Sequence, residues 1–451
     1  MSIYSRSLTS NGAEAKGPGA LLIVVTAICL LAPALFSSIL PNNARNLMLF
    51  AGCILETAFM LVYHRDFDLT ALGVGFAWFL FAIAAMVSRY LSGGSFSFAQ
   101  IALPLSAFAA CAATCGTRWV KPVMYCVLAM LCLHLAATFI FLVEPSLYTS
   151  TVKRWFFADV AHATGYQCGL SSHYSDNAFL MAMGTVLSTA IAFGTEKDGR
   201  YRFVVLAILF AIGLVLTQKR AHLLFVAFAV VCLFANTGVR GKTLKFLMAL
   251  IVVFAAACVA ATFIPGVSES FERLLGTFTT LETGDLEETT TGRTYLWGAA
   301  ISGWLKNPFF GNGWGSFLYT WPGGNQSIYA HNELLQILHD TGVMGLALFL
   351  ALTLSSLAHA RKCVKAVRAE GTGGILLSAS YFAFAFEAFM LAYSFTTGGL
   401  LQQPLIYMAW FFAVAISLAV RYEVAWADRR ASGAPLCDSA NPGFREGLAR
   451  G

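Results

Sequence analysis

Long apolar runs broken by short polar turns dominate this chain of 451 residues. About 20 predominantly apolar residues suffice for a helix to cross a bilayer. Twelve runs fit that pattern, near 20–40, 46–63, 71–88, 98–116, 122–143, 177–195, 203–217, 223–236, 246–265, 343–360, 375–395 and 405–421. The pattern predicts an all-α, polytopic integral membrane protein. Most connections are short. Two are long, 144–176 and 266–342, and the second is expected to be a large, partly helical extracytoplasmic loop.

That loop changes character along its length. Residues 276–293 (GTFTTLETGDLEETTTGR) are rich in Thr, Gly and acids, as a solvated segment would be. TYLWGAAISGWLK (294–306) then sets Leu296, Ala300 and Trp304 on one helical face, with Trp297, Ile301 and Leu305 beside them. This is an amphipathic helix suited to a membrane surface, and Pro308 ends it. GNGWGSF (311–317) is a glycine-rich turn. YAHNELLQILHDTGVMG (329–345) begins a further helix, apolar at Leu334, Leu335 and Leu338, that runs into the tenth span.

Composition narrows the class. Hydrophobic residues make up 58% and charged residues 12%, against about 45–50% and about 25% in soluble domains. A soluble globule of this composition would lack a polar coat. Disorder and a secreted disulfide scaffold are excluded as well. The net charge of +6 is scattered through short loops and gives no sign of nucleic-acid binding. The first apolar run is followed by others, so it is expected to be a span and not a cleaved signal. Of eleven cysteines only Cys168 falls outside the spans on the outer side, and no C-x-x-C pair occurs. No disulfide framework or zinc site is expected.

Lys and Arg set the orientation. With the N-terminus in the cytoplasm, twenty of the 29 fall in inner segments and nine outside. The expected organisation is a cytoplasmic tail (1–19), nine spans with the outer loop 144–176 (20–265), the large extracytoplasmic loop (266–342), three spans (343–421) and a polar cytoplasmic tail (422–451). The outer cations then need a reason. The seventh and eighth spans are short for two crossings. Their turn, Thr217-Gln218-Lys219-Arg220-Ala221-His222, is therefore expected below the outer surface, where an Arg costs about 2.5–3.5 kcal/mol on the insertion scale. Two explanations stand: snorkelling to headgroups, or an anion site at headgroup depth that a lipid pyrophosphate would fit. Arg293, at the start of the amphipathic helix, is either a surface cation or a second arm of that site. Arg273 and the pair Lys153-Arg154 are either interfacial anchors or helpers.

Among eight histidines, His331 stands at the start of a helix between a Gly/Trp-rich loop and a span. A helix N-terminus keeps an imidazole neutral, as a general base requires; a bland loop histidine is the alternative. No His/carboxylate spacing matches a metal site, although Asp176, Glu333 and Asp340 lie in the same regions.

Four pieces in order carry a resemblance: Thr291-Gly292-Arg293-Thr294-Tyr295-Leu296-Trp297, then Asn307-Pro308-Phe309-Phe310-Gly311-Asn312-Gly313-Trp314-Gly315, then Ala330-His331-Asn332-Glu333-Leu334-Leu335, then Gly342-Val343-Met344-Gly345. Together they resemble the signature region of the O-antigen ligase and polymerase superfamily. Gly169–Ala178 (GLSSHYSDNA) and Leu216–Phe225 (LTQKRAHLLF) are similar to members that build surface polysaccharides such as capsule and exopolysaccharide.

The resemblance implies a metal-independent glycosyltransferase without cofactor, on the outer face of the cytoplasmic membrane. Its donor would be a polyprenyl-pyrophosphate-linked oligosaccharide and its acceptor a glycan. Membrane lipid and other polysaccharide-assembly proteins would be partners, and nucleic acid would not. His331 matches the histidine regarded as catalytic. Arg220 and Arg293 match donor-phosphate arginines, with Lys219 beside them, and Arg273, Asn332, His173 and Trp297 are supporting candidates. Gln218-Lys219 replaces the Ser that some members carry before Arg220. The expected reaction is polymerisation of lipid-linked repeat units. The alternatives are a ligase transferring the glycan to lipid A core or another acceptor, and a transporter of lipid-linked oligosaccharide.

Overall fold

The computed structural model describes residues 20–37, 39–62, 69–93, 119–152, 154, 167–171, 173–195, 197–237, 293–320, 327–371, 373–397 and 403–431. Their architecture is helical. In order come α1 (Ala20–Leu35), α2 (Asn42–Val62), α3 (Leu69–Leu91), α4 (Val120–Val143), α5 (Tyr174–Gly194), α6 (Lys197–Leu216), α7 (Arg220–Thr237), α8 (Arg293–Trp304), α9 (Glu333–Ala369), α10 (Ile375–Tyr393) and α11 (Pro404–Ala431). A two-residue antiparallel pair, β1 (Tyr319–Thr320) with β2 (Ser327–Ile328), lies between α8 and α9. Ten of the twelve apolar runs coincide with these helices. The runs at 98–116 and 246–265 lie outside the described residues, as do Arg273, Lys153 and the loop 276–292.

Five described helices are long and apolar enough to cross a membrane: Val120–Val143, Tyr174–Gly194, Gly199–Leu216, Glu333–Ala369 and Ile375–Tyr393. The helical form follows from the solvent. Lipid offers no hydrogen bonds, so each segment must satisfy its own backbone. α5 and α10 form the centre of the bundle, with α4, α6, α7, α9 and α11 packed around them.

Small residues bring the helices close, as lipid-embedded packing requires. A Cβ on Gly194 would meet the Ser378 backbone at 2.4 Å, and one on Gly184 would meet the Phe210 ring at 2.5 Å. Along α10, Phe382, Phe386, Phe389 and Tyr393 stack successively with ring centroids 5.4–5.6 Å apart. Phe179 of α5 packs against the last three.

α9 joins the helix expected over 329–345 to the tenth span: it begins at Glu333, runs on to Ala369 past the expected end at 360, and breaks at Gly342, whose φ of 68° and ψ of −170° are not helical. The break falls where the apolar span was expected to start. α11 continues ten residues past its expected end at 421, because Arg421–Ala431 is still helical. In α8 the expected inner face is the buried one: Leu296 and Ala300 are buried, while Ile301 and Leu305 are exposed.

Candidate active site

Five element ends converge on one face: the start of α5, the turn between α6 and α7, the start of α8, the approach to α9 and the end of α10. Each position has a local cause.

The α6–α7 turn is only three residues long. Thr217 is buried and donates its hydroxyl to the Leu214 carbonyl (2.6 Å). Gln218 takes φ 57°, a left-handed conformation that reverses the chain at once. Lys219 follows, half-buried, with its ammonium 4.3 Å from the centroid of the Tyr174 ring. Cation–π contact and the nearby Asp176 carboxylate hold a charge that burial opposes. The balance leaves the Lys219 pKa at about 8, lowered first by burial and then by Arg293, with Asp176 opposing. Arg220 is the first residue of α7 and half-buried.

His173 proves to be a helix cap. Its Nδ1 accepts from the Ser175 N–H (3.1 Å) at the start of α5, and its ring stacks on Tyr174. Burial and then Lys219 hold its pKa below the ordinary value.

Arg293 opens α8 and is half-buried, and burial lowers its pKa. Its Nη1 faces the Thr396 carbonyl at 3.5 Å, just past the end of α10. Trp297, one helical turn on, is half-buried with its indole N–H turned inward.

His331 is two residues ahead of the first helical residue of α9, with φ 49°. A non-glycine residue in that region carries backbone strain, which persists only where the surroundings hold it. Asn332 is the N-cap: its side-chain oxygen accepts from the Leu335 N–H (3.1 Å). The Glu333 N–H donates to the Ser394 carbonyl (2.8 Å), which ties this point to the end of α10. The His331 imidazole is half-buried and its pKa is pushed down to about 4. Burial is the largest cause, followed by the charges of Arg293 and Lys219. A pKa lowered this far favours the neutral ring, and its causes are burial and two cations where a helix terminus was expected to act.

The structure thus brings His331, Arg293 and Lys219 within electrostatic reach of one another, with Asn332 and His173 as caps beside them. Such an arrangement presents a neutral nitrogen base next to two half-buried cations. It suits an anion whose neighbouring atoms exchange a proton.

Two residues that hold this site were not singled out for that role by the sequence. Asp340, buried on α9, accepts from the Gly315 N–H (2.8 Å) and the Phe317 N–H (3.1 Å), and the Ser316 hydroxyl lies 3.3 Å away. It also pairs with His339 Nδ1 at 3.0 Å. Gln336 donates to Asp340 (3.0 Å) and to the Phe317 carbonyl (3.3 Å) while accepting from the Ala330 N–H (3.1 Å). Through Gln336 and Asp340 the glycine-rich turn and the residue before His331 are fixed to the same helical turn. The available signal was spacing: Gln336 and Asp340 are four apart, on one helical face. Asp176, within GLSSHYSDNA, acts on Lys219 as a nearby carboxylate, a role its place in the sequence does not reveal. Among the described residues no three His, Cys, Asp or Glu side chains come together as a metal-ligand set.

Residues 205–350 match the family model for the O-antigen ligase domain (Wzy_C). The match runs from α6 through the Lys219-Arg220 turn, Arg293 and the glycine-rich turn to His331 and the first part of α9. No curated protein matches the chain. The family supports a ligase- or polymerase-type activity in polysaccharide assembly, of glycosyltransferase character, in a membrane setting. This match over about a third of the chain, with five membrane-length helices, supports the resemblance to the O-antigen ligase and polymerase superfamily.

Proposed function

We propose that this protein polymerises polyprenyl-pyrophosphate-linked oligosaccharide repeat units on the outer face of the cytoplasmic membrane. The twelve-span topology with both termini inside belongs to the same proposal. The observation that carries it is the gathering of a half-buried His331 with Arg293 and Lys219 at one end of the helix bundle.

The chemistry follows from that juxtaposition. A donor on this side of the membrane must bring its own leaving group, and a pyrophosphate does so. Arg293 and Lys219, with Arg220 next in the chain, would hold it and stabilise the charge that builds as the glycosyl bond breaks. His331 would accept the proton from the acceptor sugar hydroxyl. General-base help is typically worth 10²–10⁴-fold, and alignment of donor and acceptor supplies much of the rest. With one base and no carboxylate nucleophile assigned, a single displacement with inversion, independent of metal, is the simplest course. Retention of anomeric configuration in the product would overturn that step.

A second version is favoured by the description of the matched family model itself, an O-antigen ligase. In it the same donor site serves a different acceptor, lipid A core or another molecule.

The test is reconstitution. The purified protein in lipid bilayers is given lipid-linked repeat units, and the glycans are separated on a gel, wild type beside His331→Ala. A ladder that His331→Ala loses supports polymerisation with His331 required. If the wild type leaves every unit as supplied, polymerisation is refuted; transfer to an added acceptor then supports the ligase version, and flux of intact units across the bilayer supports transport.

A further inference from the structure

The break in α9 at Gly342 has a structural cost. Ending one helix and starting another orphans carbonyls on one side and N–H groups on the other. Here the turn after α8 supplies the partners. The Asn312 and Gly313 N–H groups donate to the His339 and Asp340 carbonyls (3.0 and 2.9 Å). The Val343 and Met344 N–H groups donate to the Pro308 and Phe309 carbonyls (2.9 and 3.3 Å).

Two glycines permit this fit. A Cβ on Gly342 would meet the Phe309 backbone at 2.3 Å, and one on Gly311 would meet the Asp340 backbone at 2.4 Å. Both have positive φ. The Trp304 indole closes the turn from the other side by donating to the Pro308 carbonyl (2.9 Å). Turn and break are therefore one rigid unit.

This unit carries two large apolar side chains outward. Phe309 is 66% and Phe310 79% exposed, and Met344 beside them is 60% exposed. An ordered, tightly bonded turn with no packing role for its two phenylalanines points to a surface that something apolar covers.

Their height says what covers them. The apolar part of α9 runs over 343–360 and ends at Arg361-Lys362. At about 1.5 Å per residue that stretch spans roughly 27 Å, close to the ~30 Å hydrocarbon core. Val343 and Met344 therefore mark one edge of the hydrocarbon, the outer one in the topology proposed above, and Phe309 is hydrogen-bonded to that edge. Val343, Met344, Leu348 and Leu354 already point out of the bundle along the span, so the phenylalanines continue a lipid-facing surface.

We infer that the Phe309-Phe310 turn is inserted into the outer leaflet and anchors the extracytoplasmic loop to lipid acyl chains. The same rigid unit holds Asp340, whose partner Gln336 fixes the Ala330 N–H next to His331. The depth of the anchor thereby sets the depth of the candidate site.

The experiment needs no enzymatic activity, so its outcome is independent of the proposed reaction. The full chain is placed in phospholipid nanodiscs with Phe310 replaced by 4-trifluoromethylphenylalanine. Fluorine relaxation is then measured with dissolved oxygen, which concentrates in lipid, and with a water-soluble nickel chelate. The same label at Leu348 gives the lipid value. Insertion is supported by a larger effect from oxygen than from nickel, as at Leu348. A larger effect from nickel overturns it. Shielding from both agents, relieved as the protein is diluted to one copy per disc, also overturns it, because a second copy would then be the cover. The label moved to Phe309 provides an independent reading if the first variant does not fold.

Discussion

Asp340→Asn tests the brace beneath His331. The substitution keeps size and shape, but replaces a two-oxygen acceptor with one oxygen and an NH₂. The two Asp340 oxygens serve different donors. Oδ2 takes the Gly315 N–H and Gln336 Nε2, and Oδ1 takes the Phe317 N–H. Whichever way the asparagine turns, its NH₂ faces at least one backbone N–H that the carboxylate had satisfied. Leaving one buried donor unpaired costs about 1–3 kcal/mol. If opening of the turn carries that cost, and each 1.4 kcal/mol is tenfold, amide protection in the turn should fall by roughly 5- to 150-fold. Hydrogen exchange measured by mass spectrometry on the 311–318 peptide, in bilayers, reads this directly. Turnover should fall with it, since Gln336 loses its fixed partner and Ala330-His331 its brace. Wild-type protection of that peptide in Asp340→Asn would refute the reasoning, and lost turnover would then need another cause.

Lys219 sets a pH dependence of donor binding. Its pKa of about 8 in the empty site means that it is charged below pH 8 and loses its charge above. An anion raises that pKa, so affinity for a lipid-linked donor, whose pyrophosphate diester does not titrate in this range, should weaken as pH rises through 8. Lys219→Arg should abolish that limb in a titration of Kd against pH. His331, at about 4, titrates on the acid side; single-turnover rates should stay level down to about pH 5 and fall below it. Gly342→Ala forces a Cβ onto the Phe309 backbone at a positive φ and should lower the thermal midpoint, whereas Gly298→Ala, with open space around it, should leave it unchanged or raise it. Asn332→Ala removes the α9 cap and should cost about 0.5–2 kcal/mol, read from denaturant unfolding.

The helices were legible because lipid enforces a simple rule: an uninterrupted apolar run must satisfy its backbone internally. Arg293, Lys219 and His331 were legible because each is a polar residue in a place that requires a reason. The brace was not. Gln336 and Asp340 read as the polar side of a helix, and their meaning lies in carbonyl and N–H groups of a turn some twenty residues earlier in the chain. The same holds for His173, whose cap bond depends on a local backbone angle, and for the break at Gly342, whose cause is the backbone of the 308–313 turn packed against it. The sequence ranked Arg220 ahead of its neighbour Lys219. The turn geometry separates them, setting Lys219 against Tyr174 and among the charges that act on His331.

The burial of α5 has a consequence for biogenesis. This helix is enclosed almost completely, with nearly every residue buried inside the bundle. It carries Asn177, Thr185, Ser188 and Thr189 on buried positions. After α6, its most extensive neighbour is α10, which is synthesised only after α6 to α9 have emerged. In the interval those polar side chains have lipid or the insertion machinery as their surroundings. A ribosome stalled before α10 would leave a chain whose central helix is the one least suited to lipid, and quality-control proteases that recognise polar groups within the bilayer would find it there.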